Sequence, residues 1–308
     1  MQRLWRIWVV GLVVATSSQA IAQPTPEELA KNPALFLETA RKTLKWDEPA
    51  EPAKIVGPIS FVGTKGLSVF LIQTSAGHIL LNTGMPGSGP MIEASIRKLG
   101  LKPEDIKILL TGHAHIDHVG GHAYLKKLSG ARVGMITEEK ELLESGGKSD
   151  FFYGKDEVFQ FEPAKVDFVF HDGDEIKLGD VTLKALLTNG HTKGSTTFLM
   201  KVVDGGKTYT VVFPTGTSVN PGYRVEKNPS YPGIGDDFRR TLRVLDDLQP
   251  DIWLHQHNDT YAYEAKLKRS AKEGAAAWVD PEGYRKWMAL QRLKLDEAIA
   301  RERAAAGN

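Results

Sequence analysis

The segment of residues 106–121 reads IKILLTGHAHIDHVGG and joins an apolar run to three histidines and an aspartate. The run IKILL is typical of a buried strand, and the Thr-Gly pair that follows is typical of a turn. Side chains at i and i+2 on extended backbone point the same way, so His113 and His115 can bind one ion together. Asp117 and His118, just past the strand, can turn toward a second position. Imidazole suits zinc, and a neighbouring carboxylate suits an ion that keeps a water, so the segment predicts a metal site.

Residues 1–22 have the three-part pattern of a secretory signal peptide. Two arginines precede the apolar stretch 7–15, and the small residues of Ala20-Ile21-Ala22 suit cleavage before Gln23. The apolar stretch is shorter than the roughly 20 residues that a membrane span needs. We therefore expect export to the periplasm, no membrane attachment after cleavage, and a single domain over residues 23–308.

The composition is that of a soluble globular protein, with 41% hydrophobic and 25% charged residues among 308. Without residues 1–22 the chain carries 37 basic and 38 acidic side chains. This near-neutral balance argues against a nucleic-acid partner. The chain contains no cysteine, which excludes both disulfides and thiolate metal ligands. No sustained heptad pattern is present, so we expect a monomer.

Strands followed by helices are predicted twice along the chain. The first half ends in the histidine cluster, and the second half supplies His191 and His257. A helix over 33–44 is expected to lie on the surface. The predicted strands are 59–63, 67–73, 78–82, 106–110, 132–136, 166–170, 181–187, 196–203, 209–213 and 251–254; the other predicted helices are 90–99, 120–128, 138–143, 238–248 and one from 280 onward.

Four motifs resemble the metallo-β-lactamase superfamily, and the match runs over nearly all of residues 23–308. They are HILLNTG at 78–84, HAHIDHVGG at 113–121, GHTKGS at 190–195 and DIWLHQH at 251–257. The resemblance implies an α/β fold, the αββα sandwich of this family, in which two sheets lie face to face with helices outside. It also implies a site for two zinc ions at one edge of the sandwich.

The residue after FPTG (213–216) distinguishes groups within the superfamily. Many members carry an Asp there that bridges both zinc ions, and two β-lactamase subclasses carry a Cys. This chain has Thr217, and with no Cys anywhere it resembles subclass B3 of the metallo-β-lactamases. The segments TSVNPGYR at 217–224, NPSYP at 228–232 and QPDIW at 249–253 resemble that subclass as well.

The resemblance assigns six metal ligands. His113, His115 and His191 would bind one zinc ion, and Asp117, His118 and His257 the other. A metal-bound hydroxide would attack the lactam carbonyl, while Asp117, also a catalytic residue, would orient it and pass on a proton. His255 is a rival of His257, because both have the same parity along the predicted strand.

Two positions depart from the common pattern. Many B3 enzymes have paired serines in the loop that meets the substrate carboxylate, whereas this chain has Thr217 and Val219. Thr217, Ser218, Asn220 or backbone amides are therefore the candidates for binding that carboxylate. Asn82 stands where the superfamily often has Asp, and its amide can still accept a hydrogen bond from a ligand imidazole.

The implied function is zinc-dependent hydrolysis of small-molecule β-lactams, which confers antibiotic resistance. A hydrolase of the same fold acting on a lactone or thioester would share the metals, and only the missing bridging Asp and the B3-like loop argue against it. A periplasmic zinc-binding protein without turnover is the third interpretation, and the full ligand set counts against it. Phe151-Phe152-Tyr153 fits either a flap over substrate or aromatic packing under a loop.

Overall fold

The computed structural model describes residues 24–306. The predicted signal peptide, residues 1–22, lies outside the described residues. Within the described residues, no helix combines the length and the apolar character that crossing a bilayer requires.

Seven strands form the first sheet, and their order in the sheet follows their order in the chain. The first four pair antiparallel and the last three join in parallel. β5 carries the run IKILL between two parallel neighbours, and all of its residues except Lys107 are buried, as burial on both faces of a parallel sheet favours. The strands are β1 (Ala53–Val56), β2 (Ile59–Phe61), β3 (Phe70–Thr74), β4 (Gly77–Leu81), β5 (Ile106–Leu110), β6 (Arg132–Ile136) and β7 (Phe168–Phe170).

The second sheet has five strands in the order β12-β11-β10-β9-β8. All neighbours are antiparallel except β11 and β12, which are parallel. These strands are β8 (Glu175–Leu178), β9 (Val181–Leu187), β10 (Thr196–Asp204), β11 (Lys207–Phe213) and β12 (Ile252–Trp253).

The two sheets share one hydrophobic core. Phe70 of β3 meets Phe213 of β11 with ring centroids 5.3 Å apart, and Phe170 of β7 meets Phe198 of β10 at 6.0 Å. Helices cover the sheets, and the predicted αββα sandwich is confirmed. The helices are α1 (Pro26–Lys31), α2 (Pro33–Thr43), α3 (Gly89–Lys98), α4 (Ile116–Val119), α5 (His122–Ser129), α6 (Lys140–Glu144), α7 (Ile234–Asp246), α8 (Tyr263–Glu273) and α9 (Pro281–Ala306).

Several elements differ from the sequence prediction. The strands β1 and β8 and the helices α1 and α8 were not predicted. The sequence of α8, YEAKLKRSAKE, is mostly charged and buries only Tyr263 and Lys266, so it lacks a clear apolar stripe. The predicted helix 120–128 corresponds to α5, which begins at His122, whereas the short helix α4, which carries Asp117 and His118, was not predicted.

The helix α2 has strong local signals at its start. Asn32 Oδ1 accepts the Leu35 N–H at 3.0 Å, and Pro33 occupies the first helical position, both of which favour initiation. Leu37 and Ala40 form its buried face. That face points toward the histidine cluster, where α2 forms one wall of a cavity.

Candidate metal centre

The loop that carries the first ligands is held closely on both sides. After β5, Gly112 N–H donates to Asn82 Oδ1 at 3.4 Å, and the Thr111 hydroxyl lies 2.7 Å from the His113 carbonyl oxygen. The Asn82 side chain therefore supports the backbone of the ligand loop. This contact differs from the expected hydrogen bond between Asn82 and a ligand imidazole. A Cβ at Gly120 would lie only 2.1 Å from the backbone nitrogen of Pro86, so only glycine permits this approach.

Three imidazoles form a nearly regular triangle. The ring centroids of His113, His115 and His191 are 4.6–4.7 Å apart, and their planes are 72–89° from one another. One nitrogen from each ring lies within 4.8 Å of one nitrogen of each of the others. His113 and His115 come from the loop after β5, whereas His191 comes from the loop between β9 and β10. This geometry brings together three donors around a common point, as a zinc ion requires.

A second group of donors adjoins the first. His113, Asp117 and His118 also satisfy the spacing for a shared ion. Asp117 Oδ2 lies 3.1 Å from His118 Nε2 and 3.7 Å from His257 Nε2. His257 Nε2 therefore lies near the same carboxylate oxygen as His118 Nε2, although His257 is outside both groups of three donors.

The position of His255 differs from that of its rival His257. His255 Nδ1 accepts the backbone N–H of His257 at 3.1 Å, and its ring packs 5.5 Å from that of Trp287. His257 Nε2 lies 3.7 Å from Asp117 Oδ2 instead, so the choice of His257 over His255 stays a prediction that this geometry fits.

Hydrogen bonds orient two of the three rings in the triangle. His191 Nδ1–H donates to the Ser218 carbonyl oxygen at 2.7 Å, and His115 Nε2–H donates to Asp150 Oδ2 at 3.2 Å. A carbonyl or carboxylate acceptor requires the N–H form at that nitrogen, which leaves the opposite nitrogen available to an ion. Tyr223 adds a bond from its hydroxyl to the His191 carbonyl oxygen at 3.1 Å.

The pKa values of several of these groups favour the protonation states that bind a cation. Burial lowers the pKa of His191 to about 3 and that of His257 to about 4. Burial, together with the repulsion that neighbouring imidazoles would exert if protonated, holds the pKa of His113 well below its usual value. Burial alone would raise the pKa of Asp117, but His118 outweighs it and keeps the pKa of this carboxyl below its usual range. The site therefore offers neutral imidazoles at His113, His191 and His257 and a carboxylate at Asp117.

A metal ion would engage a polar atom that the described residues leave without a partner. Both ring nitrogens of His113 are buried with no hydrogen-bond partner among the described residues, and an ion would take the lone pair of one of them. Unpaired buried nitrogen atoms are costly unless an ion takes their lone pairs. Nitrogen and carboxylate donors without sulfur suit a divalent metal, and zinc in particular.

A cavity of about 250 Å³ opens onto the ligands. The three predicted substrate-binding residues Thr217, Ser218 and Asn220 line it, and Thr217 is buried whereas Ser218 is exposed. Asn220 Nδ2 donates to the Tyr153 hydroxyl at 3.1 Å, which joins two loops across the cavity. The opposite wall is apolar and consists mainly of residues of α2 and its C-terminal extension: Phe36, Leu37, Ala40, Leu44 and Trp46.

Phe151-Phe152-Tyr153 combines parts of both interpretations offered for it. Phe151 packs against Tyr223 with ring centroids 4.9 Å apart, and Phe152 packs at the same distance from the same ring. Tyr153 lines the cavity and stacks on Phe159 at 4.0 Å. The first two rings are therefore packing residues, and only the third borders the space beside the metal centre.

Sequence reasoning missed three features of the site. Asp150 and Glu139 are carboxylates that bind the ligand loops, and α2 contributes the apolar wall. Glu139 accepts the backbone N–H groups of Ala114 and Gly194, each at 2.8 Å. No spacing in the sequence links these residues to the ligands, because the contacts join segments far apart in the chain.

Comparison with known proteins agrees with this fold and site. A family model described as the metallo-beta-lactamase superfamily matches residues 63–203. Native FEZ-1 metallo-beta-lactamase from Legionella gormanii is 38% identical, and the match covers 83% of this chain and 98% of that one, with a TM-score of 0.81. The chain belongs to the metallo-β-lactamase superfamily.

A second similar structure belongs to one subclass of the β-lactamases, whereas a similar curated protein has a different named activity. BJP-1 of Bradyrhizobium japonicum, a subclass B3 metallo-beta-lactamase, is 37% identical over 86% of this chain and 99% of that one, with a TM-score of 0.80. A hydroxyacylglutathione hydrolase of Bradyrhizobium sp. (strain ORS 278) is 26% identical over 58% of this chain. The chain spans only 57–59% of the length of the first curated relatives that it matches.

Proposed function

We propose that this protein is a zinc-dependent β-lactamase that holds two ions per chain and hydrolyses the lactam amide bond. The observation that carries the proposal is the buried Thr217 beside the two donor groups. A hydroxyl stands where many relatives would place a bridging carboxylate, which is the B3-like arrangement. The likeness to subclass B3 structures over nearly their full length supports the same choice. Export to the periplasm and a role in antibiotic resistance belong to this proposal.

The ligand set accounts for the chemistry. One zinc ion would be held by His113, His115 and His191, and the other by Asp117, His118 and His257. Together they would supply Lewis acidity and allow a water to ionise near neutral pH. Asp117 remains a carboxylate because its pKa is lowered. It can accept a hydrogen bond from the attacking water, take its proton, and deliver that proton to the lactam nitrogen as the C–N bond breaks. No covalent bond to the protein is needed.

The two walls of the cavity would bind different parts of the substrate. Among the described residues that line the cavity, none is lysine or arginine. The substrate carboxylate would therefore be met by neutral donors, and Thr217, Ser218 and Asn220 supply them on one wall. The apolar wall of α2 would bury the rest of a small substrate and exclude water.

The test is hydrolysis of a carbapenem by the purified protein that begins at Gln23, with and without a chelator. We expect turnover that the chelator abolishes and added zinc restores. A parallel panel of a cephalosporin, an acyl-homoserine lactone and a thioester separates the alternatives. Faster turnover of the lactone or thioester than of any β-lactam would overturn the proposal, as would two bound zinc ions without hydrolysis of any substrate.

The thioester is included in the panel because the chain is similar to a hydroxyacylglutathione hydrolase. The hydroxyacylglutathione hydrolase similarity concerns 59% of that relative's length, so it covers the shared fold and not the whole protein. A thioesterase is therefore the second candidate, and Thr217 is the residue that argues against it.

A further inference from the structure

Asp150 is a buried carboxylate outside the six ligands, and its side chain is only 3% exposed. It lies in the loop between α6 and β7, which shares no motif with the ligand segments. Burying a carboxylate is costly unless it is fully hydrogen-bonded. The partners of Asp150 therefore indicate what the residue is for.

The two oxygens of this carboxylate have different partners. Oδ2 accepts from His115 Nε2 at 3.2 Å. Oδ1 accepts the backbone N–H groups of Phe152 at 2.7 Å and Tyr153 at 2.6 Å. One side chain thus holds a ring of the imidazole triangle and a tight turn of the aromatic loop at the same time.

Each of these contacts has a consequence for the site. A neutral imidazole that uses one nitrogen for a metal must donate from the other, and a carboxylate is the strongest acceptor for that N–H. The turn places Tyr153 in the cavity wall, where its ring lies 5.7 Å from that of His115 and its hydroxyl accepts from Asn220.

We propose that Asp150 is a positioning residue that holds His115 in its metal-binding orientation and, through the same carboxylate, fixes the Tyr153 wall of the cavity. The inference rests on the zinc site of the proposed function but not on the identity of the substrate. Asp150 does not contact the reacting atoms, so its effect passes through His115 and Tyr153.

The variant Asp150→Asn tests the contact to His115. If the Asn oxygen keeps the N–H groups of Phe152 and Tyr153, its NH₂ group faces His115 Nε2–H, and two donors oppose each other. We expect zinc affinity, measured by competition with a chromophoric chelator, to fall about 10- to 100-fold. We also expect the visible absorption of the cobalt-substituted protein to shift, since the orientation of a ligand ring changes.

Asp167→Asn is the matched control. Asp167 also accepts a backbone N–H, that of Val133 at 2.8 Å, and it pairs with Lys126 away from the ligands. This variant should keep the zinc affinity and the cobalt spectrum of the unaltered protein. Equal losses of zinc affinity in both variants, or an unchanged affinity and spectrum in folded Asp150→Asn, would overturn the inference.

A measurement on the unaltered protein covers the case in which Asp150→Asn does not fold. In the zinc-loaded protein, the His115 Nε2–H proton should exchange slowly with solvent and show nuclear Overhauser contacts to the Phe152 and Tyr153 amide protons. A rapidly exchanging proton without those contacts contradicts the inference. None of these readouts uses a substrate, so a protein that meets them but cleaves no β-lactam would refute only the proposed function.

Discussion

At the scale of single residues, the surroundings of His191 fix the orientation and the protonation state of its ring. Its Nδ1–H is bound to the Ser218 carbonyl oxygen, so Nε2 is left for a metal. Its pKa of about 3 means that the ring stays neutral well below pH 7. The ring also closes the triangle of donors with His113 and His115.

We therefore expect His191→Ala to abolish tight binding at one metal position and hydrolysis with it. Metal content by atomic emission after dialysis, together with turnover, checks this. His171→Ala is the control, because the His171 side chain is 67% exposed in a loop that does not line the cavity. A His191→Ala variant with two zinc ions and unaltered turnover would refute the ligand assignment.

Glu139 acts on the ligand loops without binding an ion. It is 1% exposed, and its two oxygens accept from Ala114, which lies between two ligands, and from Gly194, three residues after His191. It therefore ties the ligand loop of the first half of the chain to that of the second half.

We expect Glu139→Gln to lower the free energy of unfolding by about 1–3 kcal/mol, because the Gln NH₂ must face one of two backbone N–H groups. Urea unfolding of the ion-free protein measures this. The neighbouring Glu138 is exposed, so Glu138→Gln should change the free energy of unfolding by less than about 0.5 kcal/mol. Similar losses in both variants would show that the two backbone contacts do not matter.

The sequence predicted six metal ligands because their chemistry is concentrated in short motifs. The structure brings five of them into two groups of three donors, and His257 lies beside Asp117. Asp150 and Glu139 were not predicted, because they lie 35 and 25 residues from their partners His115 and Ala114 in the sequence. A lone Asp or Glu in a sequence carries no mark of its burial, and only the fold brings it to a ligand loop.

At the scale of elements, α2 has the largest effect on the shape of the cavity. The sequence predicted the helix itself, because Asn32 and Pro33 mark its start and its apolar positions recur on one face. Its position was predicted only as a surface location. Phe36 and Leu37 in fact line the cavity, and the Phe36 ring is parallel to that of Tyr153 with centroids 6.5 Å apart.

We expect Phe36→Ala to raise KM several-fold while kcat changes less than twofold. The ring lines the cavity and its ring partner is Tyr153 rather than a predicted metal ligand, so its loss should remove binding surface without altering the reacting groups. Steady-state kinetics on a cephalosporin measure both constants. Glu38 is on the same helix with a side chain that is 61% exposed, and Glu38→Ala should match the unaltered protein. A fall in kcat as large as the rise in KM would mean that α2 does more than form a wall.

At the scale of the whole molecule, the metal centre exists only when both sheets are in place. The loop after β5 and the helix α4 supply four predicted ligands from the first half, while His191 and His257 come from the second half. His257 also forms a β-bridge with Leu67. Folding therefore collects the donors, and metal binding should be coupled to global stability. The αββα arrangement followed from the family resemblance, whereas strand periodicity alone indicated only strands and helices in two halves.

The titration of the ligands determines the direction of the pH dependence. The pKa values of His191 and His257 are lowered by burial to about 3 and about 4, and that of His113 is lowered too. Between these values and about 6.5 the unfolded chain binds more protons than the folded one, so the free energy of unfolding falls as pH falls. Burial lowers the pKa of His115, but Asp150 outweighs it and raises that pKa, which gives a smaller opposite contribution.

We expect the ion-free protein to lose about 2 kcal/mol per lowered histidine between pH 7 and pH 5 in urea unfolding. His191→Ala should remove one such contribution and flatten the dependence. Because the same rings stay neutral in the fold at pH 5, zinc at one hundred times its dissociation constant should still stabilise the protein there by about 2.7 kcal/mol. An ion-free protein whose stability rises toward pH 5 would show that these imidazoles are charged in the fold, and neutral donors for a cation would then be absent.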